Sequence, residues 1–165
     1  RAELMGQEFH GGRSAAGKRF AIVASSFNDY IVKSLVDGAQ RSLLGCGATE
    51  ADIDLAWCPG AVELPLVAKR LADTGRYDAV VALGCVIRGG TPHFDYVCSM
   101  AANGINSASL ESGVPISFGV LTVESIEQAI ERAGTKMGNK GCEAADAAVE
   151  MANLLASIDS VARDS

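Results

Sequence analysis

The stretch Arg19–Gly47, RFAIVASSFNDYIVKSLVDGAQRSLLGCG, decides the fold class. From Arg19 to Ser25 it is an almost unbroken apolar run with Ile22 and Val23 at its centre, which suits a strand buried on both faces. Asn28 and Asp29 then offer helix N-caps. Ile31, Leu35, Ala39 and Leu43 recur every four residues until Gly45 and Gly47 interrupt the pattern. A buried strand running straight into an amphipathic helix is the repeating unit of a parallel sheet.

Working outward, the same alternation recurs. Strands are expected over Ile53–Cys58, Ala79–Ile87 and Pro115–Thr122. Helices are expected over Ala61–Asp73, Phe94 to about Leu110, Glu124–Arg132 and Gly141–Ile158, the last with Ala145, Ala148, Val149, Ala152 and Leu155 on one face. The sum is an α/β chain, a single-domain three-layer α/β/α sandwich with a mainly parallel sheet. The domain is read as 19–160, between a glycine-rich flexible N-terminal arm (1–18) and a short C-terminal tail (161–165).

The formal net charge of −6 opposes non-specific attraction to a phosphate backbone or an anionic membrane surface, so neither nucleic acid nor membrane is an expected partner. No stretch approaches the roughly 20 apolar residues of a membrane span, and no signal-peptide core opens the sequence. The five cysteines, Cys46, Cys58, Cys85, Cys98 and Cys142, are dispersed among apolar neighbours and contain no CxxC pair, which reads as reduced thiols. With only His10 and His93 besides, no metal site is expected. A cytoplasmic location follows, or a plastid one where a transit peptide has been removed upstream. Gly12, Gly17 and Lys18 imitate a phosphate-binding loop, but Arg19 stands where its Ser/Thr belongs and the segment precedes a strand instead of following one. No strand-to-helix turn carries GxGxxG, and His10 has no assigned role.

In open parallel sheets, ligands bind where strands end and helices begin. That rule selects SSFND (25–29), CPGAVELP (58–65), GCVIRGGTPHFD (84–95) and FGVLTVES (118–125). His93 is suited to moving protons near neutral pH, or is simply a polar residue opening a helix. Gly89, Gly90 and Thr91 offer backbone N–H groups and a hydroxyl to an anion, or Thr91 caps the helix. Glu63 is an acceptor for substrate hydroxyls, or a carboxylate placed by the helix dipole. Phe27 is a ring to stack on a flat heterocycle, or a hydrophobic staple. Arg132, Lys136 and Lys140 form a cationic joint that suits a phosphate monoester, or cap helix ends.

Taken together these segments resemble one family. FAIVxSxFND, DIDxAWxPGAxELP, GCVIRGxTPHFDYV, GVPxxFGVLT, QAIERAGTKxGNKG and AAxEMANL occur in order from about Phe20 to Leu155. The chain looks like a lumazine synthase, with a flavodoxin-like sheet. The resemblance implies condensation of 5-amino-6-(D-ribitylamino)uracil with 3,4-dihydroxy-2-butanone 4-phosphate to 6,7-dimethyl-8-ribityllumazine, the penultimate step of riboflavin biosynthesis, without a metal or organic cofactor. By matching positions, Phe27 would stack on the pyrimidine; Ala61, Val62 and Glu63 would hold the ribityl chain; backbone groups of Cys85, Val86 and Ile87 would meet the pyrimidine edge. Gly90, Thr91 and Arg132 would take the phosphate and His93 would shuttle protons, with Asn28 and Lys140 as supporting residues. Phe118 and Arg132 would reach the site from a neighbouring subunit. The family's unit is a homopentamer, in many members built into a 60-subunit icosahedral shell, and association with riboflavin synthase is a further expectation. Val62, Ser26 and Gly90 depart from the commoner residues at their positions, which bears on affinity and leaves every acid, base and phosphate ligand in place. A binding protein that kept this fold without turnover, or an unrelated FMN binder, are the competing readings; the loop SSFND lacks the Ser/Thr-rich phosphate cradle of the latter.

Overall fold

A computed structural model describes residues 6–135 and 137–163; Lys136 of the cationic joint, and the extreme ends of the expected arm and tail, lie outside the described residues. The strands β1 (Phe20–Ser25), β2 (Ile53–Cys58), β3 (Ala79–Ile87) and β4 (Ile116–Val123) form one parallel sheet in the order β2-β1-β3-β4. Helices α1 (Asp29–Gly45), α2 (Leu64–Asp73), α3 (His93–Ser112), α4 (Ile126–Glu131) and α5 (Lys140–Arg163) cover it. The chain is therefore an α/β protein with helices on both faces of its sheet.

Strand alternation divides the core in two. Phe20, Ile22, Ala24, Val81 and Leu83 face α1 and α5, while Ala21, Val23, Val80 and Ala82 face α2 and α3. A central strand must be apolar on both faces, and this explains why β1 reads as an unbroken apolar run. β2, at the edge, leaves Leu55 and Trp57 partly exposed.

The alanine-rich face of α5 lets it lie close to α1. At Gly141 an added Cβ would sit 2.0 Å from the Leu35 carbonyl oxygen, so only glycine permits this approach. Gly141→Ala is expected to lower the unfolding free energy by about 1–3 kcal/mol, the usual cost of overpacking. An unchanged denaturation midpoint would show that the two helices separate at no cost.

Four local readings differ from the structure. Asn28 occupies the N-cap position of α1 in the left-handed region (φ 62°), but its side chain makes no cap bond. The expected helix 61–73 begins as a 3-10 turn over Ala61–Glu63, with Gly60 extended before it and Pro65 opening α2. The short helix expected from Glu124 starts at Ile126, with Ser125 as a true cap accepting from the Gln128 N–H. Beyond it, a hairpin of β5 (Ala133–Thr135) and β6 (Gly138–Asn139) fills the joint before α5.

The glycine-rich segment before β1 lies against the domain. Asn153 on α5 donates to the carbonyls of Gly12 (2.7 Å) and Ser14 (2.9 Å), and fully buried Ala15 donates its N–H to the Cys46 carbonyl at 2.8 Å. No described helix is long and apolar enough to cross a membrane.

Candidate active site

The parallel order reverses between β1 and β3, and the loops leaving β1, β2 and β3 converge beyond their carboxyl ends, where such sheets bind ligands. They enclose a cleft of about 560 Å³, lined among others by Phe27, Ala61, Val62, Glu63, Thr91 and His93.

Each wall has its own support. Ladder bonds run past the strand ends, from the Ser26 N–H to the Cys58 carbonyl (2.8 Å) and from the Phe27 N–H to the Pro59 carbonyl (3.1 Å). They hold the Phe27 ring at the rim with 72% of the residue exposed. A core-packed staple is excluded by that exposure. Asn28 turns its amide across the switch point and donates to the Cys85 carbonyl at 3.0 Å, tying the first loop to β3. That bond occupies one acceptor position of a backbone group expected to meet a ligand.

On the β2 side, the 3-10 turn presents Ala61, Val62 and Glu63 in succession, with the Glu63 carboxylate folded over Gly60. Cys58 beneath it donates to the Gly60 carbonyl at 3.5 Å. Burial, and then the negative charge of Glu63, push the Cys58 thiol above its ordinary pKa. Burial alone pushes Cys85 up to about 11. Both sulfurs therefore stay protonated at neutral pH and are poor nucleophiles. Val86 and Ile87 continue β3 into the cleft wall.

The third wall is the turn before α3. Gly89 and Thr91 line the cleft, Gly90 lies between them at the surface, and His93 opens the helix with its N–H 3.4 Å from Thr91 Oγ1. The imidazole is exposed to the cleft's solvent.

Phe118, Arg132 and Lys140 are elsewhere. They line a second cavity of about 390 Å³ along the free edge of β4, together with Thr122, Gln128 and Glu143. None of the three borders the cleft of His93. Arg132 ends α4, with Nη1 3.5 Å from the Gln128 carbonyl oxygen, and its own carbonyl accepts from the Lys140 N–H at 2.9 Å. Gly134 (φ 118°) and Gly138 (φ 80°) allow the intervening hairpin to close. Arg132 and Lys140 are thereby brought to one cavity from opposite ends of that hairpin. Gln128 was not singled out by composition, although the pattern Ser125-x-x-Gln128 is a capping-box signal. Its Oε1 accepts from the Glu124 N–H at 2.8 Å. Among the described residues, no group of three or more His, Cys, Asp and Glu is placed to hold a metal ion.

A family model described as 6,7-dimethyl-8-ribityllumazine synthase matches residues 17–156. The chain belongs to that family. Lumazine synthases are transferases of riboflavin biosynthesis, and they condense 5-amino-6-(D-ribitylamino)uracil with 3,4-dihydroxy-2-butanone 4-phosphate to give 6,7-dimethyl-8-ribityllumazine. The substrates of the lumazine synthase reaction are small molecules.

Proposed function

We propose that a complete active site joins the cleft of one chain to the β4-edge cavity of a second copy. The observation that carries this reading is the separation itself: the proton-transfer candidate His93 and the cationic residues Arg132 and Lys140 line different cavities of one chain. The reaction needs both at one substrate. Because two unlike surfaces would meet, the contact is heterologous, the kind that forms a ring when the rotation between copies closes; the pentamer that the family resemblance implies is such a ring. A shell of such rings, association with riboflavin synthase and a cytoplasmic setting are proposals resting on that resemblance.

In this reading Phe27 stacks on the pyrimidine, Ala61, Val62 and Glu63 hold the ribityl chain, and backbone groups of Cys85, Val86 and Ile87 orient the ring edge. Asn28 fixes the first loop. Phe118 closes the site from the second copy, while Gly90, Thr91 and Arg132, supported by Lys140, bind the phosphate. His93 moves protons as the pyrimidine's amine forms an imine with the ketone and expels water, phosphate departs, and the ring closes with loss of a second water. These steps transfer protons and expel an anion. An imidazole and an anion-binding turn supply both without a cofactor.

Subunit mixing tests the shared site. His93→Ala and Arg132→Ala, each defective alone, are unfolded together and refolded as mixed rings. About a quarter of sites should then carry both native residues, because each random heterologous contact draws its cleft and its cavity independently. Lumazine formation should recover to about that fraction of wild type. Recovery no greater than the sum of the two variants would show that both residues serve a site within one chain.

A further inference from the structure

Between Ile87 and Phe94 the chain runs through six exposed residues, 88–93, and this segment carries the turn and histidine assigned to phosphate binding and proton transfer. The glycines at 89 and 90 have nothing within 4 Å of an added Cβ, so nothing packs against the turn on the side-chain face of these two residues. Its anchor is Arg88. The Arg88 N–H continues the β3–β4 ladder to the Val123 carbonyl at 2.9 Å. Arg88 Nε lies 2.9 and 3.1 Å from the two carboxylate oxygens of Glu124, and Nη2 is 3.4 Å from Asp95 Oδ1. The guanidinium stands 4.4 Å from the ring centroid of Phe94, the first buried residue after the turn. One planar cation therefore joins the end of β4, the first turn of α3 and the buried ring of Phe94.

We propose that Arg88 and Glu124 are positioning residues for the condensation, fixing the turn 89–92 and the start of α3 so that Thr91 and His93 address the phosphorylated substrate. This rests on the roles given above to Thr91 and His93. Arg88 is not read as a phosphate ligand, because two carboxylates already face its guanidinium. A planar fork and a stacked face are properties of arginine that lysine lacks. Substituting either partner frees the turn without touching the walls made by Phe27 and Ala61–Glu63, which other loops hold.

The test measures kcat and both Michaelis constants for Arg88→Gln, Arg88→Lys, Glu124→Gln and the double variant Arg88→Gln/Glu124→Gln, with His93→Ala alongside. Misplacing a reacting group by an ångström costs up to about a hundredfold. Arg88→Gln and Glu124→Gln should each lower kcat about tenfold and raise KM for the butanone phosphate, leaving KM for the pyrimidine near wild type. The double variant should be no worse than Arg88→Gln, since that single change already breaks the Arg88–Glu124 contact. Arg88→Lys should recover only part of the loss. Wild-type kinetics in Arg88→Gln beside a slow His93→Ala would overturn the proposal alone. A defective Arg88→Gln beside a normal Glu124→Gln would overturn it in favour of direct phosphate binding by Arg88. Normal kinetics in His93→Ala would instead remove the site reading beneath it.

Discussion

His93→Ala lowers kcat for lumazine formation by about 10², a loss of about 2.7 kcal/mol of transition-state stabilisation. General acid–base groups contribute about 10²–10⁴. The low end is expected because His93 is exposed in a cleft of about 560 Å³, wide enough to admit water beside the substrates to carry part of the proton traffic. The side chain opens α3 without a core contact, so thermal stability and particle mass should stay within error, as for other surface substitutions. Steady-state kinetics with light scattering on the same sample separates these outcomes. An unchanged kcat removes His93 from the chemistry, and a changed mass assigns it to assembly instead.

Arg132→Ala raises KM for the butanone phosphate by about 10²-fold, through loss of a charge-assisted bond worth about 1.5–3 kcal/mol. The guanidinium is available for that task. Its internal contact to the Gln128 carbonyl is long at 3.5 Å, and it borders an open cavity. KM for the pyrimidine should hardly move, because Phe27 and Glu63 lie in the other cavity of the chain. Arg132→Lys should recover part of the loss, since lysine keeps the charge without the bidentate fork. A KM for the phosphorylated substrate equal to wild type would contradict the role.

The sequence carried the sheet well because its central strands are buried on both faces, and continuous apolar runs such as Phe20–Ser25 and Ala79–Ile87 leave little room for another reading. The order of those strands was less legible, since periodicity says which residues face inward and nothing about which strands are neighbours. The hairpin Ala133–Asn139 escaped because AGT and GN are too short and glycine-rich to show a period. The 3-10 turn at Ala61–Glu63 merged with α2 because both share one apolar rhythm until the backbone is seen. Loop ends of β1–β3 marked the cleft in advance, whereas its dependence on Asn28 reaching the Cys85 carbonyl is a long-range bond that no local pattern announces. Arg88 shows the same limit. Its neighbours in sequence are glycines, and its main partner, Glu124, is 36 residues away.

The segment laid along α5 has a consequence for anyone trimming or grafting this chain. The family pattern begins at residue 17, but the segment ahead of it already meets α5 at Gly11, where an added Cβ would lie 2.0 Å from the Glu150 carbonyl oxygen. A version cut at the family boundary would strip the Asn153 amide of both carbonyl partners, leave the Cys46 carbonyl without the Ala15 N–H, and uncover the ground on which Ala15 sits. Fusion partners therefore belong ahead of this whole segment, including the half-buried Phe9. The recurring pattern is a smaller object than the architecture it has to be transplanted with.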